Sequence, residues 1–377
     1  MSTPTKNLWL ETPLIFSKHI SALLDANVYL KLDVLQPSFS FKYRGLSHFV
    51  QRAIQTHGPD VHCIVASGGN AGLATACAAK VLGLRCTVFL PQGASESTLA
   101  FFKQEEAEVR EVGDCYQHAL DAAEEAVKSD NNAVMVPAYD EPLLWDGHAS
   151  IIEESAKQIP QGVKPDAVVC CIGGGGLLAG IIVGCKNVGW DDVPIIGMET
   201  HGSNTFYQSI SLNAGPFPSS PLPPKEGVTM IEDKKYDVSV ARLPKLTSRA
   251  GSLGASWASP GAVKLALNRK GGIKCVCISD EMAMASARRF ADDHKILVEL
   301  ACAATLASAY SPELFDKVVP PQPNEPNARR TVVFVVCGGF KISLAELAEY
   351  KEILEEQKGN PEWDVSCNGE EWKIQKN

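Results

Sequence analysis

Short apolar runs alternate along this chain with longer segments in which alanine and other apolar residues recur every three or four positions. The runs are rich in valine, isoleucine and cysteine, and each ends at a glycine, a proline, a serine or a charged residue. This pattern is typical of parallel strands joined by crossover helices, and it predicts the α/β fold class. We expect strands over residues 28–32, 62–66, 86–90, 133–136, 167–172, 195–199, 274–278 and 331–336, and helices over residues 70–83, 116–129, 148–158, 177–188 and 280–294.

Two stretches interrupt this alternation. Residues 215–240 are rich in proline and charge and show no sustained period, which predicts a surface loop or flap outside the sheet. From residue 342 the segment ISLAELAEYKEILEEQ predicts a helix, and the polar end after it is expected to be frayed.

The composition excludes several classes of protein. A length of 377 residues leaves room for about two domains, and 45% of the residues are hydrophobic. The formal net charge of -9 gives no basic excess, so nucleic acid is not an expected partner. No apolar run reaches membrane-spanning length and the first residues show no targeting pattern, so no membrane association and a cytoplasmic location are expected.

The 12 cysteines lie mostly inside apolar runs, as Cys63, Cys86 and Cys170 do. Such positions are typical of small buried side chains in a reducing compartment. Cys275 and Cys277 have neither the spacing of a zinc site nor a second cysteine pair at a suitable distance. A metal-thiolate site is therefore not expected.

Three glycine-containing turns follow predicted strands. The first, ASGGNAG over residues 66–72, opens a predicted helix, whose unpaired N–H groups and positive dipole end favour an anion. Ser67 and Asn70 add polar side chains to this turn. Taken alone, the turn is equally compatible with an ordinary capped connection between a strand and a helix.

The second turn consists of four consecutive glycines, again between a strand and a helix. Glycine is costly in conformational entropy, so a purely structural turn rarely uses four, and a phosphate cradle is the favoured interpretation. Gly174, Gly176 and Ala179 also satisfy G-x-G-x-x-A, with Glu199 about one strand further on. A dinucleotide-binding turn therefore stays open as the alternative.

The third turn, CGG over residues 337–339, follows the very apolar strand TVVFVV. Ligands of open parallel sheets bind outside the carboxyl ends of the strands, so all three turns are expected to face one crevice. Lys42, in the segment PSFSFKYRG, begins another predicted helix. A solvated lysine is the ordinary interpretation, but the neighbouring anion and phosphate turns favour a buried lysine that acts as Schiff-base nucleophile and proton carrier.

The chain resembles a known family in these motifs taken together. P-S-x-S-F-K-x-R-G, S-x-G-N-x-G, the tetraglycine loop and C-G-G, with the stretches EPLLWDGHAS, VPIIGMETHG and KILVELACAATLA, are similar in order and spacing to the pyridoxal-phosphate-dependent serine/threonine dehydratases. Within this family, of the tryptophan-synthase-β fold type, the resemblance is strongest to eukaryotic L-serine dehydratase. It runs from about residue 12 to residue 347.

The resemblance implies a two-domain fold type II enzyme, with open, parallel-rich sheets flanked by helices and with the cofactor between the domains. We therefore expect a large cofactor-binding domain built from residues 1–42 and 141–345, and a small domain from residues 43–140. Residues 346–377 would form a C-terminal helix and tail. A homodimer is the implied assembly.

The resemblance also implies roles for individual residues. Lys42 is expected to form the Schiff base with pyridoxal 5'-phosphate and to take the substrate's Cα proton, and Ser67 is expected to be a second catalytic residue. The remaining cofactor-binding residues would be Phe41 at the pyridine ring, Asn70 at the 3'-oxygen, Cys337 at the ring nitrogen, and Gly173, Gly174, Gly175 and Gly176 around the phosphate. The substrate carboxylate would be bound by Ser67, Gly68, Gly69, Asn70 and Ala71.

A monovalent cation near the cofactor, expected to be K+, is a further implication of the resemblance. Its ligands would be Glu199, Ser203 and the carbonyl groups of Gly173, Leu253 and Ala255.

The implied activity is that of an ammonia-lyase acting on L-serine, with L-threonine as an additional substrate. Elimination of water followed by hydrolysis would give pyruvate, or 2-oxobutanoate, and ammonia. A β-replacement, a racemisation or an elimination from another β-substituted amino acid stays open as the alternative with the same cofactor. A nicotinamide-dependent oxidoreductase and a non-catalytic relative that keeps the fold are the alternatives from other classes.

The chain departs from the family pattern at several positions. Phe39 stands where P-S-G-S-F-K has glycine, and Phe340 and Lys341 stand where C-G-G-S-N has serine and asparagine. We expect the bulky pair Phe39 and Phe340 to lie near the cofactor and to narrow or reshape the substrate pocket. Gly68, Leu300 and the inserted residues 215–240 are further departures.

Overall fold

The computed structural model describes residues 7–215, 220–322, 324, 327–357 and 359–376. Its strands, in chain order, are β1 (Leu14–Phe16), β2 (Asn27–Leu32), β3 (His62–Ala66), β4 (Arg85–Leu90), β5 (Glu108–Glu111), β6 (Ala133–Met135), β7 (Ala167–Cys171), β8 (Ile195–Thr200), β9 (Thr229–Asp233), β10 (Val238–Arg242), β11 (Ile273–Ile278), β12 (Thr331–Val336), β13 (Glu362–Cys367) and β14 (Glu370–Gln375).

The helices surround these strands. They are α1 (Lys18–Leu24), α2 (Lys42–His57), α3 (Asn70–Val81), α4 (Glu96–Gln104), α5 (Tyr116–Ser129), α6 (Pro142–Gln158), α7 (Gly176–Asn187), α8 (Thr205–Ser211), α9 (Pro260–Leu267), α10 (Asp280–His294), α11 (Leu300–Leu306), α12 (Pro312–Val318) and α13 (Leu344–Glu356). Across the described ranges, none of them combines the length and the apolar character that crossing a membrane requires.

The larger sheet has eight strands in the order β1-β2-β12-β7-β8-β11-β13-β14. Its five central strands, from β2 to β11 in this order, run parallel. Every residue of β7 and β12 is buried, as expected for parallel strands that are covered by helices on both faces. The carboxyl ends of these two neighbouring strands lead into the second and third glycine turns.

The smaller sheet has four parallel strands in the order β5-β4-β3-β6. Its central strands carry long buried runs, HCIVA in β3 and CTVFL in β4. The first glycine turn follows β3 and leads into α3. All of its strands lie within the predicted small domain, whose limits themselves stay a prediction.

The predicted α/β class is confirmed, and each predicted strand is present with both ends within one residue of the expected bounds. Helix α6 begins six residues earlier than predicted, at Pro142 rather than at residue 148. Proline at the first helical position is already set for helix geometry, and the Glu141 side chain accepts a hydrogen bond from the Leu143 N–H. These two residues therefore form a helix start that the apolar pattern alone did not indicate.

The prediction of a frayed C-terminal end is wrong. Strands β13 and β14 form a hairpin, and β13 pairs antiparallel with β11 at the register Val276 to Cys367. Val365 and Ile374 are completely buried. Polar and apolar residues alternate in the hairpin, so one of its faces is buried. The hairpin extends the larger sheet by pairing with β11, whose edge would otherwise present unpaired N–H and C=O groups.

The described residues of the segment 215–240 lie outside both main sheets, as predicted. Residues 216–219 lie outside the described part of the chain. In the rest, β9 and β10 form a two-stranded antiparallel hairpin rather than a loop. The side chain of Asp233 accepts a hydrogen bond from the Tyr236 N–H and thereby fixes the turn between them.

Candidate active site

A cavity of about 670 Å³ lies where the three glycine turns meet. Lys42, residues 67–71, Gly173–Gly176 and Cys337 all line it. The prediction that the turns face one crevice is confirmed. It follows from the sheets, since each turn extends from the carboxyl end of a buried parallel strand.

Lys42 is the first residue of α2, and its ammonium group donates a hydrogen bond to the carbonyl oxygen of Ala138. Burial lowers the pKa of Lys42 from its usual 10.5 to about 8, because desolvation disfavours the charged amine. A negative charge on Cys171 or Cys337 would oppose this shift. A substantial fraction of Lys42 is therefore neutral, and hence nucleophilic, near physiological pH.

The segment that carries Lys42 is hydrogen-bonded to the third glycine turn. Ser40 forms an antiparallel bridge with Gly338, and the Phe41 N–H donates to the Cys337 carbonyl oxygen at 2.9 Å. The Gly339 N–H donates to the carbonyl oxygen of Phe39 at 2.7 Å. Two motifs that are almost 300 residues apart in sequence thus form one wall of the cavity.

Buried ion pairs hold α2 in place beneath Lys42. The Arg44 guanidinium, which is completely buried, contacts Asp33 at 2.7 Å and Glu154 at 2.6 Å, and Lys31 contacts the same Glu154 at 2.7 Å. Removing one partner of such a set leaves an uncompensated buried charge, so the set fixes its elements strongly in relation to one another. The arginine of the PSFSFKYRG segment is therefore structural.

His148, on α6, supports the same segment from the other side. Its ring lies 4.9 Å from that of Phe41, and its Nδ1 accepts a hydrogen bond from the Gly45 N–H at 3.2 Å. Burial lowers the pKa of His148 well below its usual value, and Lys42 and Arg44 act in the same direction. His148 is therefore a neutral group that stabilises the first turn of α2.

The four-glycine turn has no room for side chains. Gly175 adopts a φ of +97°, in the left-handed region that L-residues disfavour. A Cβ atom added at Gly174 would lie 2.5 Å from the ring of Tyr139, and one at Gly176 would lie 2.9 Å from the Tyr139 carbonyl oxygen. The turn leads directly into α7, so its backbone N–H groups form a cradle suited to an anion such as a phosphate.

The first turn presents residues 67–71 to the cavity. The Ser67 hydroxyl accepts a hydrogen bond from the Gly69 N–H at 3.3 Å. The Asn70 amide donates to Glu299 at 3.1 Å and to Ser252 at 3.2 Å, and its oxygen accepts from the Phe340 N–H at 3.2 Å. Asn70 therefore connects the smaller sheet's turn to three segments of the larger-sheet part of the chain.

Cys337 lies at the floor of the cavity beside a second thiol, that of Cys171, with 3.5 Å between the sulfur atoms. The hydrogen bond between them raises the pKa of Cys337, as do Cys302 and burial. The Cys337 side chain is therefore a neutral thiol at neutral pH. Cys337 belongs to a wider pattern, since all 12 cysteines are unpaired and all but Cys115 are buried, as the sequence predicts for most of them.

The structure describes all five residues named as cation ligands. Glu199 is completely buried, its pKa is raised well above the usual value by burial, and it accepts hydrogen bonds from the N–H groups of Phe206 and Tyr207. The hydroxyl of Ser203 is buried without a hydrogen-bond partner among the described residues. A Cβ atom at Gly173 would lie 3.1 Å from the Leu253 carbonyl oxygen.

Several cavity residues lie outside the sequence-predicted set. Glu299 accepts hydrogen bonds from Asn70, from Ser252 and from the Lys341 N–H at 2.9 Å. It lies in the KILVELACAATLA stretch that carries part of the resemblance, a signal from which it could have been named. The sequence around Cys171 and Ala138 did not indicate a functional role for them. Both line the cavity because of the pairing of strands and the packing of α6.

Phe39 and Phe340 do not narrow the cavity, contrary to the prediction. Neither belongs to the described residues that line it. Phe340 is buried against Phe101 and Phe102, while Phe39 packs against Phe101 from outside. Of the other departures from the family pattern, Gly68, Leu300 and Lys341 do line the cavity.

Comparison with known proteins decides between the two cofactor types that the glycine motifs left open. The family described as "Pyridoxal-phosphate dependent enzyme" matches residues 6–338. The chain belongs to this family. Membership confirms the resemblance. It also favours the phosphate-cradle interpretation of the four-glycine turn over a dinucleotide-binding turn formed by Gly174, Gly176 and Ala179.

Relatives within the pyridoxal-phosphate-dependent enzymes align over almost the whole chain. A human protein named L-serine dehydratase/L-threonine deaminase is 38% identical over 350 residues, which cover 92% of this chain and 96% of that protein. A Dictyostelium discoideum protein named L-serine dehydratase is 31% identical, covering 92% and 93%. The crystal structure of a fungal L-serine ammonia-lyase from Rhizomucor miehei has 31% identity and a TM-score of 0.78, covering 92% and 99%. The fold type II class is thereby confirmed.

The cavity residues fit pyridoxal phosphate. A four-glycine turn that leads directly into the start of α7 suits a phosphate, and a buried lysine with a pKa of about 8 suits an aldehyde. A neutral thiol suits an unprotonated ring nitrogen, which accepts a hydrogen bond. Phosphate, aldehyde and ring nitrogen thus each have a matching group in one cavity.

Proposed function

We propose that this pyridoxal-phosphate-dependent enzyme is an ammonia-lyase for L-serine that also accepts L-threonine. One observation carries the proposal: a buried lysine amine with a pKa of about 8 lines the same cavity as a four-glycine cradle and an anion-favouring helix start. The names of its relatives, L-serine dehydratase/L-threonine deaminase and L-serine ammonia-lyase, support the same reaction.

In this proposal Gly173, Gly174, Gly175 and Gly176 hold the cofactor phosphate through their backbone N–H groups. Phe41 packs against the pyridine ring, and Asn70 exchanges one of its present partners for the 3'-oxygen. Residues Ser67, Gly68, Gly69, Asn70 and Ala71 bind the substrate carboxylate at the start of α3, where unpaired N–H groups and the helix dipole favour an anion.

When bound, pyridoxal phosphate supplies an aldehyde that condenses with amines and a ring that withdraws electrons from the substrate's Cα. Lys42 Nζ takes the Cα proton in its neutral form, which its lowered pKa makes available. The Ser67 hydroxyl lies on the carboxylate-binding turn; it passes a proton to the departing β-hydroxyl and regains one from the Lys42 ammonium, so that the Cα proton leaves with the water. The released enamine then hydrolyses to the keto acid and ammonia.

Cys337 faces the ring nitrogen in this arrangement. Its raised pKa keeps it a neutral thiol, which offers a weak hydrogen bond but no negative charge to hold a proton on the ring. An unprotonated ring withdraws electrons less strongly than a protonated one. This favours prompt loss of the β-hydroxyl over reactions that need a long-lived carbanion, such as racemisation or β-replacement.

The proposal includes a K+ ion bound by Glu199, Ser203 and the carbonyl groups of Gly173, Leu253 and Ala255. The buried, unpartnered hydroxyl of Ser203 supports it, as does the burial of the Glu199 carboxyl group, which a cation would compensate. The Ala255 carbonyl oxygen already accepts a hydrogen bond from the Thr205 hydroxyl at 2.7 Å and retains a second lone pair.

The decisive experiment measures keto-acid release by the cofactor-loaded protein from a panel of β-substituted amino acids. Pyruvate from L-serine and 2-oxobutanoate from L-threonine are expected, and Lys42→Ala should abolish both together with the visible absorption band of the bound cofactor. If L-serine gave no keto acid but a new amino acid on addition of a thiol, the protein would be a β-replacement enzyme. Interconversion of L- and D-serine without pyruvate would identify a racemase.

We further propose a cytoplasmic homodimer. The unpaired, largely buried cysteines support a reducing compartment, and the dimer rests on the family resemblance. Sedimentation equilibrium tests the assembly directly.

A further inference from the structure

Two thiols meet at the floor of the cavity. Cys171 is the last residue of β7, Cys337 directly follows β12, and these strands are parallel neighbours in the larger sheet. Their sulfur atoms lie 3.5 Å apart and both residues line the cavity. They are therefore in contact with each other and with a space that small molecules enter.

The geometry allows these sulfur atoms to bond. A disulfide needs a sulfur separation of about 2.0 Å, so the two atoms would have to approach by roughly 1.5 Å. The chain after Cys337 can follow this movement, because Gly338 and Gly339 have φ values of +82° and +133° and glycine is the residue that adopts such angles readily. The strands themselves stay paired.

A small oxidant in the cavity can reach both thiols, since both residues line it. Thiolates rather than thiols attack oxidants and disulfides. Whichever of the two sulfur atoms is oxidised first has the other at 3.5 Å to complete the bond.

We propose that Cys171 and Cys337 form a dithiol that peroxides oxidise to a disulfide. One of the two sulfur atoms, as a thiolate, attacks a peroxide oxygen and becomes a sulfenic acid as the O–O bond breaks; the leaving hydroxide takes up the proton that the thiol released and departs as water. The other sulfur then attacks the sulfenic sulfur, the S–O bond breaks, and a second water is released as the S–S bond forms. One hydrogen peroxide is reduced and two thiols lose their hydrogen atoms.

The other cysteines nearby are less suited to this bond. Cys302 accepts a hydrogen bond from the Gly338 N–H at 3.3 Å and does not belong to the described lining of the cavity. Cys170 precedes Cys171 on a strand, so its side chain points to the opposite face, and burial raises its pKa. Oxidation is therefore directed to the pair Cys171 and Cys337.

Oxidation would also affect the cofactor. It removes the thiol proton that Cys337 is proposed to offer to the ring nitrogen and draws Cys337 towards β7. We expect the oxidised protein to retain less cofactor, and we expect bound cofactor to slow oxidation by covering the thiols. Only this consequence rests on the proposed function, since the disulfide itself forms with or without catalytic activity.

The test uses the full chain with Cys115→Ser, which removes the exposed cysteine. Apoprotein and cofactor-loaded protein are treated with hydrogen peroxide and digested with trypsin. Cys337 is the single cysteine of the tryptic peptide 331–341, Cys302 that of peptide 296–317, and Cys171 lies in peptide 158–186. A link between peptides 158–186 and 331–341, two hydrogen atoms lighter than their sum and cleaved by dithiothreitol, is the expected product.

The matched control is Cys171→Ser, which keeps a hydroxyl where the thiol was. This variant should give no linked peptide and should keep its cofactor absorption band when peroxide is added. The Cys115→Ser parent should lose the band in proportion to the linked fraction. Dithiothreitol and fresh cofactor should restore the band of the parent. Absence of the link in the apoprotein, or a link from peptide 331–341 to 296–317, would overturn the assignment. A link that left the absorption band unchanged would overturn its coupling to the cofactor.

Discussion

The ring of Phe340 stands edge-on to the ring of Phe101, with 5.2 Å between the centroids and 76° between the planes. Phe101 makes a second edge contact, at 5.8 Å, with Phe39. Phe101 lies on α4, which follows a strand of the smaller sheet, whereas Phe39 and Phe340 lie in turns of the cavity wall. These aromatic residues therefore join the two parts of the molecule outside the cavity.

Phe340→Ala should destabilise the protein without changing its substrate preference. Phe340 is only 7% exposed, and replacing a buried phenylalanine by alanine typically lowers the free energy of unfolding by about 3–5 kcal/mol. Denaturant unfolding of the cofactor-loaded protein measures this, with Phe340→Leu as the milder control. A changed ratio of serine to threonine turnover at unchanged stability would show that this side chain faces the substrate instead.

Phe39→Gly should be nearly neutral, although it removes a whole aromatic ring. Phe39 has a φ of +60°, which costs an L-residue roughly 1–2 kcal/mol and glycine almost nothing. The lost contact with Phe101 is worth about 0.5–1.5 kcal/mol beyond burial. We expect the free energy of unfolding to change by less than about 1 kcal/mol, and Phe39→Ala, which loses the ring but keeps the strained backbone, to be the less stable variant.

The pKa of Lys42 gives a pH dependence for cofactor capture. Only the neutral amine attacks an aldehyde, so the rate at which apoprotein binds pyridoxal phosphate covalently should rise with pH up to about 8 and level off above it. An ordinary lysine would keep the rate rising to about pH 10. Stopped-flow absorbance follows the reaction, and borohydride reduction with peptide mapping verifies that Lys42 carries the label.

Gly175→Ala should weaken binding of the cofactor. The backbone there has a φ of +97°, and the new Cβ would lie 2.8 Å from the Cβ of Ala262. The turn can relieve this strain by distorting, and the distorted turn no longer fits the phosphate. If holding the turn undistorted costs about 1.4 kcal/mol, the dissociation constant for the cofactor rises tenfold. Gly359→Ala is the matched control, since a Cβ at Gly359 has no atom within 4 Å. Equal affinities of the two variants for cofactor would contradict the cradle.

Much of the fold was predictable from the sequence because its signals are local. The glycine turns, the strands before them and the helices after them each lie within about 20 consecutive residues, so their patterns are legible in a single stretch. The lysine segment was predictable for the same reason. That the three glycine turns share one crevice also followed, since ligands of parallel sheets lie at the carboxyl ends of strands.

The remaining features depend on which strands become neighbours. Cys171 lies beside Cys337 because β7 pairs with β12. Phe340 lies outside the cavity, where its ring packs against that of Phe101. The C-terminal hairpin is short and polar on one side, and it becomes ordered by completing the edge at β11. These contacts join segments that are far apart in sequence, so the residue pattern within one segment does not predict them. For this reason the predictions of a frayed C-terminal end and of a pocket narrowed by Phe39 and Phe340 were wrong.

The proposed cation should stimulate activity most strongly at higher pH. A cation binds the ionised form of Glu199, and burial raises the pKa of that carboxyl group. Glu199 takes up a proton as the pH falls through its raised pKa. The affinity of the protein for K+ should therefore fall at pH values at which an exposed glutamate would still be ionised. Keto-acid release measured in KCl and in tetramethylammonium chloride of equal ionic strength isolates the effect. Glu199→Gln, which has nearly the same shape but no charge, should remove the difference between the salts, and a K+ response that survived in this variant would place the ion elsewhere.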